Sequence, residues 1–136
     1  MTDSACDLPS QVMAEYGIEV VPLMVYLLEA EFMDGVNLKP VEMFTNMREG
    51  SVYKTAQVPP GVFMEKFRQY SANGDSCIYL AFSSALSGTH SSAVLAKEQL
   101  AEAGTELKLD IIDTKCASLG FGLVVREAAR MARDGV

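Results

Sequence analysis

The sequence predicts an α/β fold with parallel strands, and three observations carry that prediction. Short β-rich runs alternate with helix-length segments, proline and glycine mark where those segments start and stop, and one strand candidate is apolar at every position. Thr2-Asp3-Ser4 reads as a polar loop leaving a strand, although only Met1 precedes it. Pro9 to Tyr16 is a helix closed by Gly17, following the rule of proline just inside the start and glycine just past the end. Ile18 to Leu28 is β-rich and reads as a strand. Pro40 to Glu49 is a second helix closed by Gly50, and Lys54 to Gly61 is polar and extended, because the residue before each proline is pushed out of the helical region. A third helix runs from Pro60 to Ala72 before Gly74, with Phe63, Met64, Phe67 and Tyr70 forming an apolar stripe for the core. Ile78 to Phe82 carries no polar residue, as expected of a central strand covered on both faces. Helices at Gly88 to Ala103 and Leu119 to Arg133 flank a last strand, Leu107 to Ile112, and both follow hydroxyl-rich loops that suit helix capping.

The chain has 136 residues, of which 49% are apolar, enough for the core of one domain. There is no repeat, low-complexity tract or linker. Because Met1 alone precedes the first loop and the chain stops at Gly135-Val136 directly after a helix, it reads as a fragment of a longer protein. Eighteen acids against 11 bases leave a formal charge of −7, which argues against a nucleic-acid surface and weakens recruitment to anionic lipid headgroups. Arg126, Arg130 and Arg133, near helical spacing, read as a solvated helix face. No apolar run approaches the roughly 18 to 20 residues that span a bilayer. The start, Met-Thr-Asp-Ser, lacks the regions of a secretory signal, and Cys6, Cys77 and Cys116 are odd in number and widely separated. Both features predict a cytoplasmic protein with structural, reduced thiols and neither zinc nor a disulfide framework.

The most distinctive segment is Ser83 to Ser92, with six Ser or Thr among ten residues between the buried strand and a helix. Such a turn aims hydroxyls and free helix amides at one point and suits a carboxylate or phosphate, although ordinary capping would use one or two of the hydroxyls. Asp113 to Ser118 repeats the geometry after the next strand, and in a parallel sheet such loops gather at one edge, where ligands bind. Thr55 and Gln57 either point into that crevice or belong to a surface connection. Catalytic patterns are missing: there is no GxSxG elbow, P-loop or GxGxxG. His90, the single histidine, follows Ser87 by three residues, so a serine-dependent hydrolase or acyl transferase using Ser87 and His90 is the alternative reading; an exposed helical histidine is the plainer one. Asp3, Asp110 and Asp113 are candidates for a carboxylate cluster only if the fold brings them together.

Four segments, Thr2 to Pro9, Lys54 to Gly61, Leu86 to Thr89 and Asp113 to Gly120, resemble in order the TDS-x-x-DLP, K-T-S-Q-P-S-P-G, S-S-x-L-S-G-T and D-S-K-x-A-S-x-G motifs of the DegV family. Val20 to Leu23 and Asp34 to Val36 are similar to its V-V-P-L and D-G-V, so the likeness spans essentially the whole chain. It implies a three-layer, parallel-sheet domain of the DegV type, comprising the N-terminal domain only and lacking most of its first strand. It further implies a protein that is not itself an enzyme, has no cofactor, binds a long-chain fatty acid and presents the carboxylate to a separate fatty-acid kinase catalytic subunit. Carried over by position, Thr55 and Ser87 hydrogen-bond the carboxylate, Gly88 and Thr89 supply amides beside it, and Ser118 lies on another loop at the crevice. Phe82, Leu86, Leu119 and Phe121 are candidates for the tunnel wall, with core packing as the alternative. Ala56 replaces a usual Ser, and Val58-Pro59-Pro60-Gly61 loses the Ser of Q-P-S-P-G. The family's second domain, expected to supply a basic or imidazole group, is absent from this chain. An apolar edge left by the shortened first strand predicts self-association.

Overall fold

Two sheets form within the chain, and a proline decides where one stops and the other begins. The computed structural model describes residues 1–136. Strands β1 (Thr2–Asp3), β2 (Val20–Val21), β6 (Ser76–Ala81) and β7 (Lys108–Asp113) form a parallel sheet in the order β2-β1-β6-β7. Strands β3 (Met24–Leu27), β4 (Ala30–Met33) and β5 (Lys54–Ala56) form an antiparallel sheet in the order β4-β3-β5. The run Ile18 to Leu28, expected as one strand, is therefore divided between the two sheets. Pro22 has no N–H to donate to a ladder, and the next amide, Leu23 N–H, donates to the Ser4 hydroxyl at 3.0 Å.

The helices are α1 (Ser10–Glu15), α2 (Pro40–Arg48), α3 (Pro60–Asn73), α4 (Thr89–Glu102) and α5 (Ser118–Arg133), each close to its expected position. Pro40 and Pro60 stand in the first turns of α2 and α3, and Gly74 closes α3 in the left-handed region with φ +75°. Helices α3 and α4 cover one face of the parallel sheet. Their Phe63, Phe67, Ala93, Ala96 and Leu100 pack against Cys77, Tyr79 and Ala81 of β6. The Phe63 ring lies 4.9 Å from that of Tyr79, a tilted contact typical of aromatic cores. On the opposite face, Phe121 and Val125 of α5 pack with Leu80 and with Cys6, which lies in a short 3-10 turn at Ser4–Cys6. The result is the three-layer α/β arrangement with a parallel sheet that the sequence predicts.

Two expectations are corrected. Thr2 and Asp3, read as loop, form a two-residue strand: Thr2 N–H donates to Glu19 O, and Leu80 N–H to Met1 O. The partners that make them a strand lie far away in sequence. Strand β6 is interior but not covered on both faces along its length, since Ile78 is 51% exposed. Helix α5 reaches Leu80, whereas Ile78 lines an apolar groove of about 410 Å³ with Met1, Val125 and Ala132. Of the basic positions, Arg130 pairs with Glu127 and Asp134 at 2.7 and 2.6 Å, and Arg133 stacks over Tyr16 at 4.5 Å, so this is the solvated face expected. No helix is long and apolar enough to cross a membrane.

Candidate functional site

The loops leaving β1, β6 and β7 gather at the carboxyl edge of the parallel sheet, the edge where ligands bind in open α/β folds. The loop after β6 is held by its own hydroxyls. Leu86 and Ser87 amides donate to Ser83 O, at 3.0 and 3.1 Å, and Ser83 N–H donates to Cys116 O. Ser84 donates through its amide at 3.1 Å and its hydroxyl at 2.6 Å to the two carboxylate oxygens of Asp113. The Ser84 hydroxyl and amide together keep the Asp113 carboxyl below its ordinary range. Ser87 Oγ accepts from Thr89 N–H at 3.2 Å and lies 3.0 Å from Thr89 Oγ1, while Thr89 Oγ1, fully buried, accepts from Val58 N–H. Much of the hydroxyl cluster therefore serves capping and loop anchoring, the alternative weighed from the sequence.

An open cleft of about 600 Å³ lies between this loop and β5. Thr55, Gln57, Ser87 and Gly88 supply its polar lining, and Ala5, Leu23, Ala56, Phe82 and Leu86 its apolar lining. The antiparallel sheet carries Thr55 to this place, because Thr55 pairs with Val25 on a strand that follows directly from the parallel sheet through Pro22. Two contacts stitch the segment after β5 to the start of α4: Gln57 Nε2 donates to Ser92 Oγ at 3.1 Å, and Val58 N–H to Thr89 Oγ1 at 3.3 Å. Gln57 lies so close to the helix start that a Cβ on Gly88 would fall 1.8 Å from its Oε1. Glycine at the N-cap of α4 thus makes room for the Gln57 side chain, whose amide oxygen a Cβ would strike.

Of the residues singled out from the sequence, Thr55, Ser87 and Gly88 meet in the cleft, as do Gln57, Phe82 and Leu86. Thr89 stands behind Ser87 and is buried. Ser118 is the exposed first residue of α5, where its hydroxyl donates to Asp7 Oδ2 at 2.6 Å, and it does not line the cleft. Leu119 is exposed, and Phe121 belongs to the core beneath α5. His90 is the second residue of α4; the partners of the Ser87 hydroxyl are the Thr89 amide and hydroxyl, with no Ser87–His90 hydrogen bond. No group of three His, Cys, Asp or Glu is placed to hold a metal ion.

One buried carboxylate beneath the cleft was hardly legible in the sequence. Asp3 is fully buried at the end of β1; its Oδ2 accepts from Tyr79 OH at 2.8 Å and Phe82 N–H at 3.1 Å, and its Oδ1 from Ala5 N–H at 3.2 Å. Burial raises its pKa, against the three hydrogen bonds, which favour the ionised form. Burial and the adjacent Asp3 charge hold the Tyr79 hydroxyl far above the ordinary tyrosine range.

A family model described as "Uncharacterised protein, DegV family" matches residues 1–136. A DegV domain-containing protein of Clostridium perfringens is 40% identical over 136 residues, covering 98% of this chain and 47% of the relative. A stearic acid-binding protein from Eubacterium ventriosum has a similar structure, with a TM-score of 0.92 at 26% identity, over 99% of this chain and 47% of that one. A DegV family protein from Thermus thermophilus, described for its fatty-acid binding, gives a TM-score of 0.84 at 34% identity over the same shares. The chain spans about half the length of the relatives it matches.

Proposed function

Because the chain belongs to the DegV family, we propose that it binds a long-chain fatty acid in the cleft beside α4, with Thr55 and Ser87 hydrogen-bonding the carboxylate. The observation that carries the reading is the convergence of these two residues, one from the antiparallel sheet and one from the loop after β6, on one cleft whose remaining walls include Leu23, Phe82 and Leu86. The solved relatives described as fatty-acid-binding support the ligand class. Hydroxyls can satisfy a carboxylate without a lysine, which suits a chain of net charge −7. Each methylene buried against the apolar walls contributes about 0.8 kcal/mol, so the acyl tail supplies most of the affinity and the head group needs placement. Gly88 gives the Gln57 side chain room at the helix start, and Thr89 holds Ser87 and Val58 in position.

In this reading the chain is the N-terminal, lipid-binding domain of a longer carrier and performs no chemistry alone. It presents the fatty-acid carboxylate to a separate fatty-acid kinase subunit, which transfers a phosphoryl group from ATP to form the acyl phosphate. The setting is the cytoplasm, which the three free cysteines suit. Self-association belongs to the same reading. Light scattering that returns a monomer removes this element.

The test is native mass spectrometry of the purified chain, followed by titration with stearate. Thr55→Ala and Ser87→Ala should each weaken binding by about 1–3 kcal/mol, the cost of leaving a carboxylate oxygen short of a donor. A doubly substituted chain with unchanged affinity overturns the assignment of the head-group site. Turnover of an activated ester that vanishes in Ser87→Ala and His90→Ala would replace the carrier by a serine-dependent hydrolase or acyl transferase.

A further inference from the structure

The two ends that flank the cleft floor are tied together by one side chain. Strands β1 and β6 share a single register pair, Thr2 with Leu80, and past that pair their chains part. Ala5 follows β1, Phe82 follows β6, and both line the cleft. What connects them there is the Asp3 carboxylate, with Ala5 N–H on one oxygen and Phe82 N–H on the other, at 3.2 and 3.1 Å. Its third donor, Tyr79 OH, comes from the α3–α4 core and touches no part of the cleft. No Lys, Arg or His pairs with Asp3. A buried carboxylate without a cation is a poor choice for stability alone, since desolvation opposes it and an apolar residue would fill the space at lower cost.

We propose that Asp3 is a positioning residue for ligand binding: by holding the Ala5 and Phe82 amides on its two oxygens, it sets the floor on which the acyl chain lies. The inference rests on the fatty-acid reading of the cleft. An asparagine at this position tests it, because whichever way the amide turns, its NH₂ faces the N–H of either Ala5 or Phe82 and one side of the floor comes loose.

The experiment compares the unsubstituted chain, Asp3→Asn and Tyr79→Phe by calorimetric titration with stearate at a temperature where denaturant unfolding shows all three folded. Tyr79→Phe removes one donor to the same carboxylate but leaves both floor amides held, so its affinity should stay within about twofold even as its stability falls. Asp3→Asn should bind at least about tenfold more weakly. Equal affinity for all three, or losses that follow stability in both variants, overturns the positioning role while the fatty-acid reading stands. An unsubstituted chain that does not bind stearate overturns the fatty-acid reading and this inference with it. Should Asp3→Asn fail to fold, amide hydrogen exchange in the unsubstituted chain decides: slow Ala5 and Phe82 amides, slowed further by stearate, support the role, and exchange at the rate of an open chain overturns it.

Discussion

Two glycines in α5 allow one physical term to be isolated from another. Gly122 faces the turn after β1, where an added Cβ would sit 2.4 Å from Cys6 O and 3.1 Å from Leu8 Cδ2. The nearest of these atoms is backbone, so the helix and the turn must move apart by about 1 Å to restore ordinary contact. Gly120, one half-turn earlier in the same helix, has nothing within 4 Å of its Cβ position and an ordinary φ. Replacing either glycine by alanine gains the same helix propensity, about 1 kcal/mol at most. The propensity term cancels in the comparison, and what remains is the cost of forcing a methyl group into a filled contact, about 1–3 kcal/mol. Gly120→Ala should therefore raise the denaturant midpoint or leave it unchanged. Gly122→Ala should fall below Gly120→Ala by about 1–3 kcal/mol, or about 3–10 °C in Tm for a chain of this size. Chemical unfolding of both variants with matched slopes is the assay. If Gly122→Ala proves as stable as Gly120→Ala, the close approach of α5 to the turn does not hold the layers together as described.

Phe63→Ala, which empties the space between α3 and Tyr79, should cost about 3–5 kcal/mol, a large part of a typical domain's stability, and is read from the thermal midpoint. The acid limb of the stability profile tests Asp113. The Ser84 hydroxyl and amide lower its pKa in the folded chain, so the carboxylate adds stability above its unfolded pKa of about 3.9 and loses that contribution as pH falls through the lower folded value. Asp113→Asn should therefore be less stable than the parent at pH 7, with the difference shrinking as pH falls below about 3.9; a constant difference on acidification contradicts the assignment.

What the residues reveal before folding depends on how far away their partners are. Helices α2 and α3 announce themselves through Pro40 and Pro60 at the start and glycines just past the end, signals that act within a turn of chain. The stripe Phe63, Met64, Phe67 and Tyr70 lies on the buried side of α3 because period alone determines a helix face. The hairpin β3–β4 escaped notice because its turn, Leu28-Glu29, contains neither Gly nor Asn; Leu28 itself takes φ +54° and is 91% exposed. Thr2-Asp3 carries no local strand signal, since its ladder is supplied by Glu19 and Leu80. The hydroxyls of the cleft were visible as composition in Ser83 to Ser92, yet which of them face a ligand was not. Ser84 is engaged by Asp113 and Thr89 by Val58, partners set by tertiary contacts, and Ser118 is drawn to Asp7 at the start of α5.

The division of the chain at Pro22 has a mechanical side. One wall of the cleft belongs to the large sheet and the other to the small one, so cleft width is an angle between two plates. Pro22-Leu23 is the seam, the Leu23–Ser4 hydrogen bond its pin, and Gln57–Ser92 with Val58–Thr89 the two rivets that fasten the smaller plate to the larger. Gln57 is both a rivet and part of the lining, so loosening it at Ser92 frees a side chain that faces the cleft. Substitutions at Ser92, beyond the cleft lining, therefore reach the cleft through the Gln57 side chain.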